Sequence, residues 1–411
     1  MNDKPIVIVG AGHSGAKAAA SLRKHGWQGG IELVGAEPGL PYDRPPLSKA
    51  VLLGAKKAAD CVFFNSEWYA QREISLLSGQ AVNKVLRANH QVQLENGKLI
   101  EYSRLILATG AKPRIPDIPG IGLGKVYALR TMRDAQALAS ALTPGVRLVV
   151  IGGGVIGLEA AAAAMERGCT VRVFEAAPQV LGRSVPAEFA KAIMRRHEAR
   201  GISIKLNAKI TRLLGDGAVQ GVELASGEVF PCDVLVYGIG VTPSVALAEQ
   251  SGLLVKNGIH VDAFLNTEDE AISCCGDVSN FDSLRFGRKV RLENWRNAED
   301  QAVVVARNVL GHAVKYDPLP WFWSNQFDWA LQVVGLFDPQ GLTGIYHEEN
   351  SSYFINFSHS AKMVAAGATG PVRNVGAAIR IFKHKMMEGA GLRDLETENL
   401  NDATRLMLMR G

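Results

Sequence analysis

The stretch "LVVIGGGVIGLEAAAAA", residues 148–164, decides how this 411-residue chain is read. A β-branched run, a turn carrying Gly152, Gly154 and Gly157, and an alanine-rich segment follow one another, which predicts a buried strand, a tight turn and a helix. The glycines divide the work of a dinucleotide cradle. The first permits the turn, the second lets the backbone approach a pyrophosphate, and the third lets helix and strand pack closely. The phosphates then lie at the positive end of the helix. Val155 and Ile156 fill the variable positions of the turn and line the candidate site.

One such turn is a weak signal, but the chain has another. "IVIVGAGHSGAKAA", residues 6–19, repeats the pattern with Gly10, Gly12 and Gly15, and with His13 and Ser14 at variable positions. His13 either touches a cofactor or fills space. Two strand–turn–helix cradles about 140 residues apart predict two dinucleotides, or one held and one exchanging.

In each half a second strand ends in an acid. Glu175 closes "VRVFE" 23 residues after Gly152, near the spacing of about 20 expected for a carboxylate on a ribose 2′-OH. Such a carboxylate repels a 2′-phosphate, and no cation follows before Arg183, so NADH is expected over NADPH. Glu37 closes "IELVGAE" 27 residues after Gly10, and the "GWQGG" turn at 26–30 absorbs the longer spacing. The competing reading for both is an ordinary strand-end surface acid. Gly276-Asp277 ends the apolar stretch "ISCC", where an aspartate is either a ligand group in the crevice of an open sheet or a helix cap.

Hydrophobic residues make up 47% and charged residues 21% of the chain, with 43 glycines, which fits an α/β protein rich in tight turns. The formal net charge of +5 is too weak to imply nucleic acid but suits an acidic partner. No apolar run approaches the roughly 20 residues of a membrane span. The chain enters a strand within five residues, so no signal peptide is expected and a cytoplasmic location is. Cys61, Cys169, Cys232, Cys274 and Cys275 form no C-x-x-C pattern, and the nine histidines show no ligand spacing, so no metal is expected.

Apolar stretches "LILATGAKPR" and "DVLVYGIGVTP", each with a proline-marked link, read as crossings between domains. "ENWRNAEDQAVVVARNVLG" has helical spacing. From about residue 318 the style changes to aromatic-rich strands, "WFWSNQFDWALQVVG" and "SSYFINFS", followed by a helical "NVGAAIRIFKHKMMEG". In "WFWS", Trp321 and Trp323 alternate with Phe322 and so share a strand face, which by itself suggests core. "PYDRPPLSK", residues 41–49, places Arg44 and Lys49 on a loop stiffened by two prolines.

In order, the first fingerprint, "PYDRPPLSK", "ATGAKPR", "GGGVIGLEAA", "CCGDVSN", "ENWRNAEDQA" and "PWFWSNQFD" resemble the FAD-dependent, NADH-dependent ferredoxin reductases, the family of putidaredoxin reductase and rubredoxin reductase. These serve Rieske-type dioxygenases and bacterial cytochrome P450 systems, and the resemblance runs from about residue 5 to 400. It implies an α/β, glutathione-reductase-like fold with two Rossmann-like domains and a C-terminal α+β domain. The FAD domain would comprise 1–114 and 244–317, the inserted NAD domain 115–243, and the last domain 318–411.

The resemblance also implies roles. Gly10, Gly12, Gly15 and Glu37 would hold the ADP half of FAD, with His13, Ser14, Val82, Ala108, Thr109 and Gly110 also among the cofactor-binding residues. Arg44 would face the pyrophosphate, Lys49 the isoalloxazine, and Gly276 and Asp277 the ribityl chain. Glu293 and Trp295 would adjoin the helix that opens near Asn297-Ala298 and aims its backbone N–H groups at the flavin. Arg130, Gly152, Gly154, Val155, Ile156, Gly157, Glu175, Arg183 and Gly240 would serve NADH. Glu159, near the nicotinamide, would pair with Lys49, and Trp323 or its neighbour Trp321 would pack on the flavin, so Lys49, Glu159 and Trp323 are the expected catalytic residues.

The implied partner is a [2Fe–2S] ferredoxin, expected to be acidic. Two basic segments would receive it. In 285–296, Arg285, Arg288, Lys289, Arg291 and Arg296 face only Glu293 in sequence, and in 360–393, Lys362, Arg373, Arg380, Lys383, Lys385 and Arg393 face only Glu388. Monomer and homodimer both remain open. Two other classes compete: a disulfide reductase or NADH oxidase, which would carry a reactive cysteine where Arg44 to Lys49 stand, and a redox-sensing flavoprotein of the apoptosis-inducing-factor type.

Overall fold

The computed structural model describes residues 4–182 and 184–391, and its chain divides into two units. The first comprises Met1–Arg44, Ala58–Lys112 and Val241–Pro318. Its central strand, Ile6–Val9, is buried at every position, as a β-branched run covered on both faces should be. Parallel neighbours extend it in the order Ile272–Cys274, Arg104–Leu107, Ile6–Val9, Ile31–Gly35, Ile74–Ser78. The fingerprint helix, His13–Lys24, joins the first two strands and ends on Arg23 and Lys24, cations suited to the negative end of its dipole.

The second unit comprises Pro45–Lys57, Pro113–Gly240 and Leu319–Gly411. It repeats the design with a parallel sheet ordered Ser203–Lys205, Thr170–Phe174, Arg147–Ile151, Val234–Tyr237, Val126–Tyr127. Its fingerprint helix, Val155–Glu166, is buried at every position from Gly157 to Ala164. A helix apolar all round must be covered all round. The alanines allow that close cover, with Leu158 reaching an apolar cluster that includes Phe189, Ile193, Leu331 and Phe354.

The chain's last sheet is antiparallel, ordered Trp321–Gln326, Trp329–Gly335, Met363–Pro371, Ser351–Phe357, Leu342–Glu348. Within it, the strand Trp329–Gly335 is buried on both faces. Along Trp329–Gly335, Ala330 and Val334 pack with Val375, Ile379 and Phe382 of the helix Val372–Met387, while Trp329, Leu331 and Val333 pack with Leu158, Phe189 and Ile193. That double burial accounts for the nearly unbroken apolar run "WALQVVG", and each fully buried side chain of this kind contributes roughly 1.5–3 kcal/mol. The two-cradle α/β architecture with a C-terminal α+β part is the one expected from the sequence. Among the described residues, no helix is long and apolar enough to cross a membrane.

Candidate functional site

The two glycine turns have the same anatomy. Gly10 and Gly152 adopt φ +111 and +103, where a side chain would be strained, and a Cβ at either would strike the carbonyl oxygen ending a neighbouring strand, Ala108 O or Gly238 O. A Cβ on Gly15 or Gly157 would strike the carbonyl of Gly10 or Gly152. The middle glycines differ: the nearest atom to a Cβ on Gly12 is Arg44 Nη2 at 3.9 Å, and on Gly154 it is Gly238 O at 3.8 Å. First and third glycines therefore hold the turn together, and the middle one faces open space at a helix N-terminus. Two such cradles fit two pyrophosphates.

In the first unit, Glu37 accepts from Arg44 Nη2 and from the Tyr42 hydroxyl, both at 2.5 Å. Arg44 thus engages the acid expected at the ribose while one of its nitrogens stands over Gly12. Burial works against its charge, but Glu37, Tyr42 and Asp277 outweigh this and hold its pKa above the ordinary value. Gly276, at φ +83, packs on Ser14, and the Asp277 carbonyl accepts from Arg291 Nη1 at 3.2 Å. Ala108 is buried, and the Thr109 hydroxyl donates to Ser244 O at 2.8 Å beside Gly110 at φ +66. His13 is buried against Phe63 and Trp295 and bonds Glu299 at 2.6 Å. Trp295 Nε1 donates to Asp43 at 2.8 Å, exposed Glu293 pairs with Arg291 at 2.6 Å, and Val82 opens a strand paired with Leu94.

A side-chain cap sets the start of the next helix. The helix begins at Trp295, capped by Asn294, whose Oδ1 accepts from the Asn297 N–H at 2.8 Å while its carbonyl accepts from Ala298 N at 3.2 Å. Both N–H groups of Asn297-Ala298 are therefore engaged by the capping residue. Asparagine capping, invisible to apolar periodicity, set the start.

In the second unit, the Glu175 carboxylate lies beside the glycine turn and accepts from Gly153 N at 2.6 Å and Ala177 N at 2.8 Å. Gly240, at φ +100, presents open space, and Arg130 N donates to Asp134 in the cap of helix Met132–Ala141. Ile156 is exposed at the mouth of the cradle. Arg183 lies outside the described residues.

The second unit also contains the loop after Arg44. Pro45–Ser48 form a 3₁₀ turn, where proline's missing N–H costs nothing. Helix Val155–Glu166 and its end hold this loop twice: Arg167 Nη1 donates to Leu52 O, and Glu159 takes Lys49 Nζ at 3.0 Å and the Ser48 hydroxyl. Glu159 also accepts from Ser324 Oγ at 2.5 Å. The acid is 3% exposed and Lys49 22%, so the carboxylate is fixed inside while the cation reaches outward. Ser48 and Ser324 were not singled out in the sequence, although each adjoins a residue that was. Trp321 and Trp323 do share a face: their rings stack at 5.0 Å, Trp321 Nε1 donates to Gln332, and Lys383 Nζ lies 3.9 Å from the Trp321 ring centre.

The basic segments are less bare than their sequence. In the first unit Lys289 pairs with Asp282 at 3.0 Å and Arg296 with Asp300 at 2.8 Å, so Glu293 is not the sole acid there, while Arg285 and Arg288 stand exposed. A strand partner and the next helical turn bring those acids in. In the second unit Lys385 shares Glu388 with His384, Lys362, Arg373 and Arg380 are exposed, and Arg393 lies outside the described residues. All five cysteines are buried and unbridged, with burial pushing Cys232 and Cys275 up to about 12 and Cys274 well above its ordinary value.

An α/β protein with two open dinucleotide cradles is a nucleotide-dependent oxidoreductase scaffold. The family model described as pyridine nucleotide-disulphide oxidoreductase matches residues 4–302, and the chain belongs to that family. It is an FAD-dependent oxidoreductase that works with NADH. The chain is 40% identical over 388 residues to the anthranilate 1,2-dioxygenase system ferredoxin–NAD(+) reductase component of Burkholderia cepacia, covering 93% of this chain and 95% of that one. Two crystal structures are similar throughout. The ferredoxin reductase for the CYP199A2 system from Rhodopseudomonas palustris has TM-score 0.90 and 35% identity, covering 99% of this chain and 100% of that one. The covalent putidaredoxin reductase–putidaredoxin complex has TM-score 0.91 and 31% identity, covering 100% and 99%.

Proposed function

We propose that this chain takes a hydride from NADH onto FAD and passes single electrons to a [2Fe–2S] ferredoxin that feeds a Rieske oxygenase or a cytochrome P450. When bound, FAD supplies the conversion of one two-electron delivery into two one-electron deliveries. The observation that carries the reading is the combination of two cradles with five buried, unbridged cysteines. A thiol relay needs an accessible thiolate. Thiols buried in this way favour an external acceptor over disulfide chemistry.

In this reading residues 1–114 and 244–317 hold FAD, 115–243 hold NADH, and 318–411 form the last domain. Gly10, Gly12, Gly15 and Glu37 serve the ADP half of FAD, Arg44 the pyrophosphate and Asp277 the ribityl hydroxyls. Glu175 selects NADH by accepting from the ribose. Lys49, held by Glu159, answers the negative charge that the ring system gains on reduction. Arg373 and Arg380, exposed on the helix Val372–Met387, and Arg285 and Arg288 offer positive charge to an acidic ferredoxin, speeding encounter. The enzyme works in the cytoplasm.

The test is NADH-driven cytochrome c reduction with a panel of purified ferredoxins. The expected result is turnover that depends on added ferredoxin and falls as salt rises. Equal turnover with oxygen alone would overturn the reading, and a long-wavelength thiol–flavin band on reduction would favour disulfide chemistry instead.

A further inference from the structure

Glu159 is the end of a polar chain that runs through the interior of the second unit. Ser324 Oγ is 2.5 Å from Glu159 Oε1, Gln326 Nε2 is 2.8 Å from Ser324 Oγ, and His197 Nε2 is 2.6 Å from Gln326 Oε1. All four residues are buried, His197 and Ser324 completely.

Chemistry fixes the direction of each bond. A carboxylate only accepts, so Ser324 donates its one hydrogen to Glu159. Ser324 Oγ must then accept from the amide nitrogen of Gln326, which turns the amide oxygen toward His197. That oxygen only accepts, so His197 carries its proton on Nε2. Its Nδ1 is buried with no partner, as suits a bare ring nitrogen more than an N–H. Burial lowers the His197 pKa to about 4, although the bond to Gln326 opposes this, so the ring is neutral. Every donor therefore points the same way and the series ends on the carboxylate, an arrangement in which each bond polarises the next.

Burying a serine, a glutamine and a histidine in line is costly unless each is satisfied. A purely apolar contact between helix Ala187–Glu198 and strand Trp321–Gln326 would hold these elements as well. What the polar series adds is a fixed anion at its end. We propose that Ser324, Gln326 and His197 are positioning residues that lock the Glu159 carboxylate in place, so that Lys49 is held at one point during flavin reduction. This rests on the reading that the Lys49–Glu159 pair serves that step.

The charged group meeting Glu159 is Lys49, with the Ser48 hydroxyl from the same loop. The strand brings Ser324, which is uncharged. Around His197, its own helix carries Arg196 and Glu198, the turn after that helix carries Arg200, and the turn after the strand brings Asp328, which pairs with Arg200 at 2.6 Å. The rings of Phe327 and Trp329 cover the remaining sides.

The experiment uses the FAD-loaded enzyme and its Ser324→Ala and Ser324→Thr variants. Flavin reduction by NADH is followed by stopped flow from pH 5 to 9, and His197 is observed by ¹⁵N NMR, with His197→Asn as the assignment control. Ser324→Ala should keep its FAD and reduce roughly tenfold more slowly. Ser324→Thr, which keeps the hydroxyl, should restore the rate. The ¹⁵N spectrum of the unaltered enzyme should show a neutral ring with Nε2–H. A ring protonated on Nδ1, or a Ser324→Ala rate unchanged from the parent, would overturn the proposal. Lys49→Ala separates the two readings: unchanged reduction there removes the role of the pair itself, whereas slowed reduction beside normal Ser324→Ala removes only the relay.

Discussion

Lys49 Nζ and Glu159 Oε1 are 3.0 Å apart, an ion pair between a proline-stiffened loop and a glycine-turn helix. The acid is buried and the cation reaches toward solvent, so the pair is asymmetric: one partner is anchored and the other is presented. Lys49→Ala should keep FAD and slow flavin reduction by NADH by roughly tenfold to a hundredfold, as loss of a charge-stabilising group does. Stopped-flow bleaching of the flavin is the measurement, and an unchanged rate would reduce Lys49 to a loop cation.

The glycine turns predict a split between folding and binding. Gly157→Ala forces a Cβ into the Gly152 carbonyl and should destabilise the protein by about 1–3 kcal/mol. Gly154→Ala meets no protein atom nearer than 3.8 Å, so the thermal midpoint should hold while KM for NADH rises at least about tenfold. A Gly154→Ala protein with normal KM would show that no pyrophosphate approaches there.

Cofactor choice should follow Glu175. Its carboxylate lies over the turn on the N–H groups of Gly153 and Ala177. Glu175→Ala should raise the NADPH-to-NADH ratio of kcat/KM by about tenfold, the worth of one charged contact. An unaltered ratio would make Glu175 a structural cap for the turn.

The neutral His197 predicts acid sensitivity. Its folded pKa of about 4 lies below the ordinary 6.5, so below 6.5 the unfolded chain binds a proton that the folded chain refuses. Stability is therefore full above pH 6.5 and is lost as pH falls toward 4, by up to about 3 kcal/mol. Thermal midpoints at pH 7 and 5 should fall less in His197→Asn than in the parent. Parallel falls would show that the ring is protonated in both states.

Much of this was legible because it is local. Each glycine turn, with the strand before it and the helix after it, is written in 20 or fewer consecutive residues. The tryptophan alternation at 321 and 323 gave a shared face for the same reason. Contacts between distant segments were not legible. Ser48 and Ser324 lie 111 and 165 residues from the acid they share, and nothing in periodicity couples them. The start of the helix at Trp295 depended on one asparagine side chain, and the neutralisation of Lys289 and Arg296 depended on acids supplied by pairing and helical turn. Arg44 and Glu37 were legible as two residues with separate tasks, yet they bond each other. A sequence shows charge; only the fold shows which charge it meets.

The strand Trp329–Gly335, buried on both faces, limits how this enzyme can be shortened. A chain ending before Leu319 would keep both cradles but would strip apolar cover from Leu158, Phe189 and Ile193 and remove the hydroxyl that Ser324 gives Glu159. The C-terminal segment is therefore not an accessory module added to a minimal reductase. A version of this enzyme shortened after the second cradle should lose that apolar cover together with the hold on Glu159.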